Sequence, residues 1–518
     1  RQHLDSAGVQ TESPYQWDPK RLLRPLDERV SVSIEGRDVH IAAWVFEVPS
    51  ISGKSVPVYL LDTDLPANDP EDRLLTGQLY GGDQRYRLRQ EAVLGLGGIA
   101  MLRALGYNRI ETYHMNEGHC ALLTVALLEE AAGDREPATA VAEIEAVRAR
   151  CVFTTHTPVP AGHDRFTLDL TRQVLGDRLA ELLSGLPFFA DDTLNMTHLA
   201  MFFARYTNAV ARRHGETARE MYPDYHIYSI TTGVHAGTRE SAPVAALFDR
   251  EIPQWRYDNH SLRQAINIPV EHLQEAHAIA KRDLFLEVQK RTGVRLDPAV
   301  LTIGFARRAA TYKRADLIFS DIERLEAIAR DGWPIQFIFA GKAHPADFPG
   351  KQLIQRVFDA KDKLRGEIPV VYVEEHDMNL GRLLCSGVDL WLNNPQKPLE
   401  ASGTSGMKAA MNGVPSLSIL DGWWPEGCFE GVTGWSIDDS MAEPPDTTKE
   451  AASVYAKLRY VIAPLFYGSP TGYARVMRST VAINGAYFTA QRMVEQYIQD
   501  AYQERDELRV RRGSPTGG

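Results

Sequence analysis

The chain has 518 residues, 44% of them hydrophobic, and carries 57 basic against 68 acidic side chains, for a formal net charge of −11. That length and apolar fraction support two or more domains with sizeable cores, and the acidic balance argues against a nucleic-acid polyanion as the main partner. Cys120, Cys151, Cys385 and Cys428 follow no metal or redox spacing, no apolar run approaches the ~18 residues that span a bilayer, and no signal peptide is visible, so a cytoplasmic location is expected.

Along the chain, short apolar runs alternate with helix-period segments. IAAWVFEV (41–48), VYLLDT (58–63) and RCVFTTH (150–156) are strand candidates in the first half. VLGLGGIA (93–100) imitates the GxGxxG loop of dinucleotide-binding proteins, but the preceding DQRYRLRQEA is charged and helical in period rather than a strand, so that reading fails. A domain boundary fits near Ile230–His235, after which the polar, loop-like AGTRESAPVAALFD (236–249) leads into a long helical segment at 270–292.

The second half gives a cleaner repeat. Strands are expected near 300 and at 335, 369 and 388, with helices from Ala315, Lys351, Asn379 and Thr404, and PSLSIL (415–420) is a further apolar run. This alternation predicts an α/β fold with a doubly wound parallel sheet, whose ligand residues gather at the C-terminal ends of the strands, where Arg308, Gly341 and Glu400 fall. Residues 481–510 form an amphipathic helical pattern, and the final RRGSPTGG looks like a tail. Internal repeats and low-complexity segments are absent.

Chemically, EASGTSGMKAAMNG (400–413) is the most informative stretch. It is a glycine-rich turn between an apolar run and a helix-forming segment. Backbone N–H groups near Thr404 and Ser405 would face a bound anion, Gly403 and Gly406 allow close approach, Thr404 suits an N-cap and Lys408 sits about one turn into the helix. The glycine-to-lysine spacing is too short for a P-loop. By itself the segment also suits a capped helix with a solvated lysine.

Several further motifs, HMNEGH (114–119), TTHTPVPAGHDRF (154–166), ITTGVH (230–235), ARRAATYKRA (306–315), GKAHP (341–345) and ILDGWWPEG (419–427), resemble in sequence and order those of the α-glucan phosphorylases, the pyridoxal-phosphate enzymes that include glycogen and maltodextrin phosphorylase. The resemblance covers nearly the whole chain and is nearest to the shorter bacterial branch. It implies two Rossmann-like lobes facing a cleft, the GT-B arrangement, with residues 1–232 in a partial N-terminal lobe, 233–518 in the C-terminal lobe, and the last helix crossing back.

The implied reaction is retaining phosphorolysis of an α-1,4-glucan by orthophosphate, which releases α-D-glucose 1-phosphate. By resemblance Lys408 forms the imine with pyridoxal 5′-phosphate, while Thr404, the Ser405 N–H, Arg307, Lys313 and His376 surround that cofactor. Arg308 and Lys313 match the substrate-phosphate binders. Cations are needed because two unit charges about 4 Å apart repel by roughly 4 kcal/mol at an effective dielectric of 20. Arg314, in the same basic cluster, is expected to matter least. His156 matches the histidine at the cleaved glucosyl unit, Glu400, Ser402 and Gly403 its hydroxyl binders, Asn116, Glu117 and His119 the acceptor side, and Asp83 a loop aspartate. A metal site built from His114, His119, His156 and His163 is disfavoured, because their spacings are unlike HExxH and the family needs none.

Arg307 replaces a lysine of some members, Thr232 stands where the family has an asparagine that binds a glucosyl hydroxyl, and His376 stands where a tyrosine usually lies near the cofactor ring. The chain opens at Arg1 without a methionine, and the resembled enzymes have an upstream portion with a glycine-rich, phosphate-binding loop, so little phosphorolysis is expected from these 518 residues alone. A homo-oligomer is compatible with the family. The alternatives are a nucleotide-sugar-dependent α-glucosyltransferase of GT-B fold and a non-catalytic glucan-binding fragment.

Overall fold

Buried on both faces, the apolar runs of the second half assemble into one six-stranded parallel sheet in the computed structural model, which describes residues 1–15, 17–79, 81–133, 141–159, 162–438 and 445–503. The strands are Leu301–Ala306, Ile335–Ala340, Val370–Val373, Leu390–Asn393, Ser416–Ile419 and Gly434–Ile437. Counted along the chain, they lie in the order 3-2-1-4-5-6. The reversal falls where Ile303 pairs with Leu390, between the first and fourth strands. This doubly wound sheet belongs to a unit formed by residues 1–15, 211–214 and 230–497.

Two local readings change here. A helix expected from Ala315 is instead two 3-10 turns, Thr311–Lys313 and Leu317–Phe319, followed by a helix Ile322–Arg330. The chain breaks at Arg314, whose φ is +49°, and Asp321 then restarts the helix by accepting a hydrogen bond from the Arg324 N–H at 3.0 Å. Within the loop-like stretch 236–249 lies the start of a helix, Ala242–Glu251, with Pro243 in its first turn.

A second unit comprises the described parts of residues 16–210, 215–229 and 498–518. Its parallel sheet has the order Ile227–Ser229, Tyr206–Ala209, Cys151–Thr154 and Tyr113–Asn116. The runs at 41–48 and 58–63, expected as helix-covered parallel strands, instead belong to an antiparallel meander of Arg24–Ile34, Arg37–Pro49 and Ser55–Asp62. The connections are too short for a parallel crossover, and Glu35 and Gly36, with φ of +53° and +72°, form the tight turn that a right-twisted hairpin prefers. The glycine-rich decoy at 93–100 lies inside helical structure, between Gln84–Ala92 and Gly98–Ala104.

Residues 1–15 differ from the expected division, because they pack in the 230–497 unit. Side-chain amides hold them: Gln2 Nε2 donates to the Gly341 carbonyl at 2.8 Å, the Glu375 N–H donates to Gln2 Oε1 at 3.0 Å, and Gln10 exchanges two bonds with Ala343. At the other end, Arg205 Nη2 donates to the carbonyls of Ala501 and Tyr502, each at 3.0 Å, within the second unit. Helical structure is present at 481–485, Ala490–Tyr497 and Ile498–Tyr502, and residues 504–510 of the expected terminal helix lie outside the described residues. Among the described residues, no helix is long and apolar enough to cross a membrane.

Arg314 fixes the crevice at the strand-order reversal. Buried, it donates to the carbonyls of Asn394 and Pro395, each at 2.9 Å, and to Glu450 Oε2 at 2.5 Å, while Asn394 Nδ2 donates back to the Arg314 carbonyl at 2.7 Å. The residue expected to matter least in the basic cluster is thus a structural clamp. Arg314→Ala leaves the fully buried Glu450 carboxylate without its cation, at a cost of about 3–5 kcal/mol. Denaturant unfolding followed by tryptophan fluorescence should show that loss, and a change below about 1 kcal/mol would remove the clamp from the account.

Candidate active site

Open α/β sheets bind ligands outside the C-terminal ends of their strands where the strand order reverses, because the flanking loops diverge there. The loop after the first strand brings Arg307, Arg308 and Lys313 to that point, and the loop after the fourth brings Glu400. Gly341, ending the second strand, has φ of +152°, and a Cβ there would lie 1.9 Å from the Arg307 carbonyl oxygen. Only glycine permits this approach, which sets the start of the Arg307 loop.

Glu400 lies between two cations. Arg307 Nη2 donates to its Oε2 at 2.8 Å, and Lys313 Nζ donates to the same oxygen. Burial alone would raise the Glu400 carboxyl, but Arg307 and Lys313 hold it below its ordinary value. One carboxylate cannot balance both neighbours, and the guanidinium does not release its proton. Lys313 yields instead: burial first, then repulsion from Arg307, brings its ammonium down to about 7. Arg308 is exposed, and no hydrogen bond or ion pair engages its guanidinium among the described residues.

Lys408 lies on the helix Ser405–Met411. Thr404 is its N-cap residue but makes no side-chain capping bond, and the Ser405 hydroxyl accepts from Trp391 Nε1 at 3.2 Å. Gly406 packs where an added Cβ would meet Trp423 at 2.9 Å. Burial lowers the Lys408 ammonium, with further repulsion from Arg239 and Arg307. No hydrogen bond reaches Lys408 Nζ among the described residues. Three buried polar atoms of the site residues are also unpartnered: Arg307 Nη1, Ser402 Oγ and His376 Nε2.

Sequence reasoning missed Arg239 and Asn412. Asn412 Nδ2 donates to the carbonyls of Lys408 at 2.9 Å and Arg239 at 3.0 Å, and its Oδ1 accepts from the Ser241 N–H at 2.8 Å. This bridge ties the Arg239 loop to the lysine helix. A single arginine in a polar loop gives no signal of such a role, whereas Asn412 stood inside the quoted motif without an evident task. Thr232 exposes its carbonyl to Arg492 Nη2 at 3.3 Å, and neighbouring Thr231 donates to both Glu426 oxygens at 2.8 and 3.0 Å.

In the other unit, the candidates follow the strands Tyr113–Asn116 and Cys151–Thr154. Asn116 is exposed, whereas Glu117 is buried with φ of +68°, a strained conformation for a non-glycine residue. Its carboxylate accepts from the His156 N–H and from Thr157 Oγ1 at 2.9 Å. Burial raises the Glu117 carboxyl despite these bonds. His156 reaches solvent, yet loss of water around the ring and the nearby His119 hold its pKa down to about 4. Asp83 caps the helix Gln84–Ala92 through the Tyr86 N–H at 2.9 Å.

Of the four histidines weighed as metal ligands, His114 bonds Thr154 and Tyr502, each at 2.7 Å, His163 bonds Thr197 at 2.7 Å, and His119 lies 3.4 Å from Asp164. Ligand atoms of Glu91, His119 and Asp164 lie within 4.8 Å of one another. Arg87 supplies the cation there, 2.6 Å from Asp164 and 3.6 Å from Glu91.

Fold and site define an α/β protein with a cation-rich crevice at the strand-order reversal and an unpartnered lysine beside it. The chain belongs to the carbohydrate phosphorylase family, whose pattern matches residues 163–424. It is 37% identical to a maltodextrin phosphorylase of Thermococcus litoralis and 36% identical to a glycogen phosphorylase of Mycobacterium tuberculosis, each over 97% of this chain and 64% of the relative. A glycogen phosphorylase of Aquifex aeolicus is 35% identical over 91% of this chain and 73% of its own length. The chain thus spans just under two thirds of the first two relatives.

The Lys313 environment gives a proton-linked prediction. An anion near Lys313 favours its charged form, so binding above pH 7 must take up a proton, whereas at pH 6 the ammonium already carries it. Calorimetry of sulfate binding in buffers of different ionisation enthalpy should show uptake at pH 8 that falls away at pH 6. Lys313→Met should abolish it. Equal uptake in that variant would assign the proton elsewhere.

Proposed function

We propose that this chain takes part in phosphorolysis of an α-1,4-glucan by orthophosphate, with release of α-D-glucose 1-phosphate and with pyridoxal 5′-phosphate attached at Lys408. The observation that carries this reading is the unpartnered Lys408 Nζ together with the unpartnered buried atoms Arg307 Nη1, Ser402 Oγ and His376 Nε2. Their chemistry fits a group that offers a carbonyl carbon to an amine and a dianion to cations. The names of the relatives, maltodextrin and glycogen phosphorylase, support the glucan as substrate.

When bound, pyridoxal 5′-phosphate supplies a phosphate whose second pKa of about 6 lets it exchange a proton with orthophosphate near neutrality. Lys408, with its ammonium disfavoured, is the amine that holds the cofactor covalently. The Thr404 and Ser405 backbone, Arg307 and Lys313 would hold the cofactor phosphate, and His376 would be a further contact for the cofactor. Arg308 offers its planar fork to orthophosphate, and Lys313 serves both anions. Glu400, Ser402 and the Gly403 N–H take hydroxyls of the terminal glucosyl unit. In the other unit, His156, Asn116, Glu117 and His119 are the residues for glucan binding, and Asp83 shapes a loop.

In the reaction, the glycosidic C1–O bond breaks, an orthophosphate oxygen bonds C1 on the same face, and the orthophosphate proton passes to the leaving oxygen. No carboxylic acid of the chain needs to supply that proton. Thr232 offers only a short hydroxyl where the family has an amide, so weaker retention of the glucosyl hydroxyl is the expected departure.

Borohydride reduction of the protein with pyridoxal 5′-phosphate, followed by peptide mapping, should place a pyridoxyl group on Lys408; labelling of another lysine would overturn the assignment. Arg308→Ala should weaken phosphate binding about ten- to a hundredfold, the equivalent of one charge-assisted contact of about 1.5–3 kcal/mol. Arg308→Lys should restore it only in part, because an ammonium cannot bind bidentately. Unchanged phosphate affinity in the alanine variant would make Arg308 a solvated surface residue.

A further inference from the structure

On the helix Gln84–Ala92, Glu91 faces inward: its side chain is 2% exposed, and both carboxyl oxygens are buried and accept no hydrogen bond among the described residues. Two residues from other segments meet it there, Asp164, just before the strand Arg165–Thr167, and His119, in the turn Gly118–Cys120. Arg87, one helical turn before Glu91, is the cation of the group. Its Nη2 lies 2.6 Å from Asp164 Oδ2 and 3.6 Å from Glu91 Oε1, and the same Asp164 oxygen lies 3.4 Å from His119 Nδ1.

One guanidinium cannot balance two buried carboxylates that face each other. Arg87 donates at hydrogen-bond distance to Asp164 and only approaches Glu91, so the charge stays on Asp164. Burial first, then the Asp164 charge, raises the Glu91 carboxyl well above its ordinary value, and Arg87 offsets only part of this. Burial acts on Asp164 in the same sense, but its hydrogen bonds, those of His119 and Arg87 first, bring it below its ordinary value. Two facing carboxylates are both acceptors and cannot bond, whereas a carboxylic acid donates to a carboxylate and satisfies both groups. The neighbouring elements supply no competing charge: the Cys120 thiol is pushed up to about 12 by burial, Asp169 and Arg172 on the helix Leu168–Leu175 pair with each other, and Glu35, after the strand Arg24–Ile34, pairs with Arg85.

We propose that Glu91 is a positioning residue of the glucan-binding side: held as the neutral carboxylic acid, it donates its O–H to Asp164 and so keeps Asp164 the lone carboxylate between Arg87 and His119. The bond joins the helix Gln84–Ala92 to the loop that carries Asp164, and Asp164 passes the constraint to the His119 turn. An ionised Glu91 would draw Arg87 away and repel Asp164, which would free His119. That His119 serves glucan binding rests on the function proposed above, whereas the proton on Glu91 is a property of the cluster itself.

Infrared spectroscopy of the whole chain, with and without carbon-13 at the glutamate side-chain carboxyls, reads this proton directly. At pH ~7.5, above the ordinary carboxyl range, the label-sensitive carbonyl band of protonated glutamate should be stronger than in Glu91→Gln by the intensity of a single acid per chain. In nitrogen-15 spectra, the His119 ring signal, assigned by its loss in His119→Phe, should stay in place in Glu91→Gln, which keeps a neutral donor, and move in Glu91→Leu, which keeps none. An acid band unchanged by Glu91→Gln, a His119 signal displaced in Glu91→Gln, or one unmoved in a folded Glu91→Leu protein would each overturn the proposal. If the leucine variant does not fold, the acid band and the His119 signal of Glu91→Gln decide. None of these readings uses glucan, so failure of the chain to bind a maltooligosaccharide would count against the proposed function and not against the role of Glu91.

Discussion

The single carboxylate of Glu400, placed between Arg307 and Lys313, sets the electrostatics on which the site depends. Each unbalanced pair of unit charges about 4 Å apart costs roughly 4 kcal/mol at an effective dielectric of 20. A guanidinium is not deprotonated in proteins, so the lysines are the groups that respond. Burial first, then repulsion from Arg307, brings Lys313 down to about 7, and burial, with repulsion from Arg239 and Arg307, lowers Lys408 as well. A bound anion would relieve this repulsion, which suits the crevice to an anionic group, and burial with cationic neighbours disfavours the charged form of Lys408.

The fold makes that concentration of charge affordable by fixing the backbone around it. Arg314 anchors the loops that carry Lys313 and Glu400, while Gly341 and Gly406 permit backbone approaches that a Cβ would block. Asn412 links the Arg239 loop to the lysine helix. None of these residues needs to touch a ligand, yet each limits where a ligand-binding group is found.

Much of this was legible in the sequence, for identifiable reasons. Strands buried on both faces, such as IQFIFA, appear as unbroken apolar runs, and the order of strand and helix in the second half leads directly to a doubly wound sheet. The meander at 24–62 was not legible as antiparallel, because strand partners are chosen by connection length and tight turns rather than by apolar content. The hairpin at 1–15 is anchored by two glutamine side chains, and amides in a short polar segment do not announce which backbone they will pair with. Arg314 stood in a run of cations that includes Arg307 and Arg308, and what separates it is a guanidinium taken up by the Asn394 and Pro395 carbonyls and by Glu450, which only the three-dimensional structure reveals. The strained Glu117 likewise lies in a recognised motif, but its backbone conformation is visible only in three dimensions.

The most direct test of the cation-rich crevice compares pyridoxal 5′-phosphate with pyridoxal, which shares the ring and aldehyde but lacks the phosphate. With Arg307 and Lys313 supplying charge-assisted contacts, the phosphorylated form should bind tighter by on the order of a hundredfold, and added salt should narrow the gap. Absorbance titration of both compounds at low and high salt measures this. Equal affinities at low salt would contradict an anion site at the strand-order reversal.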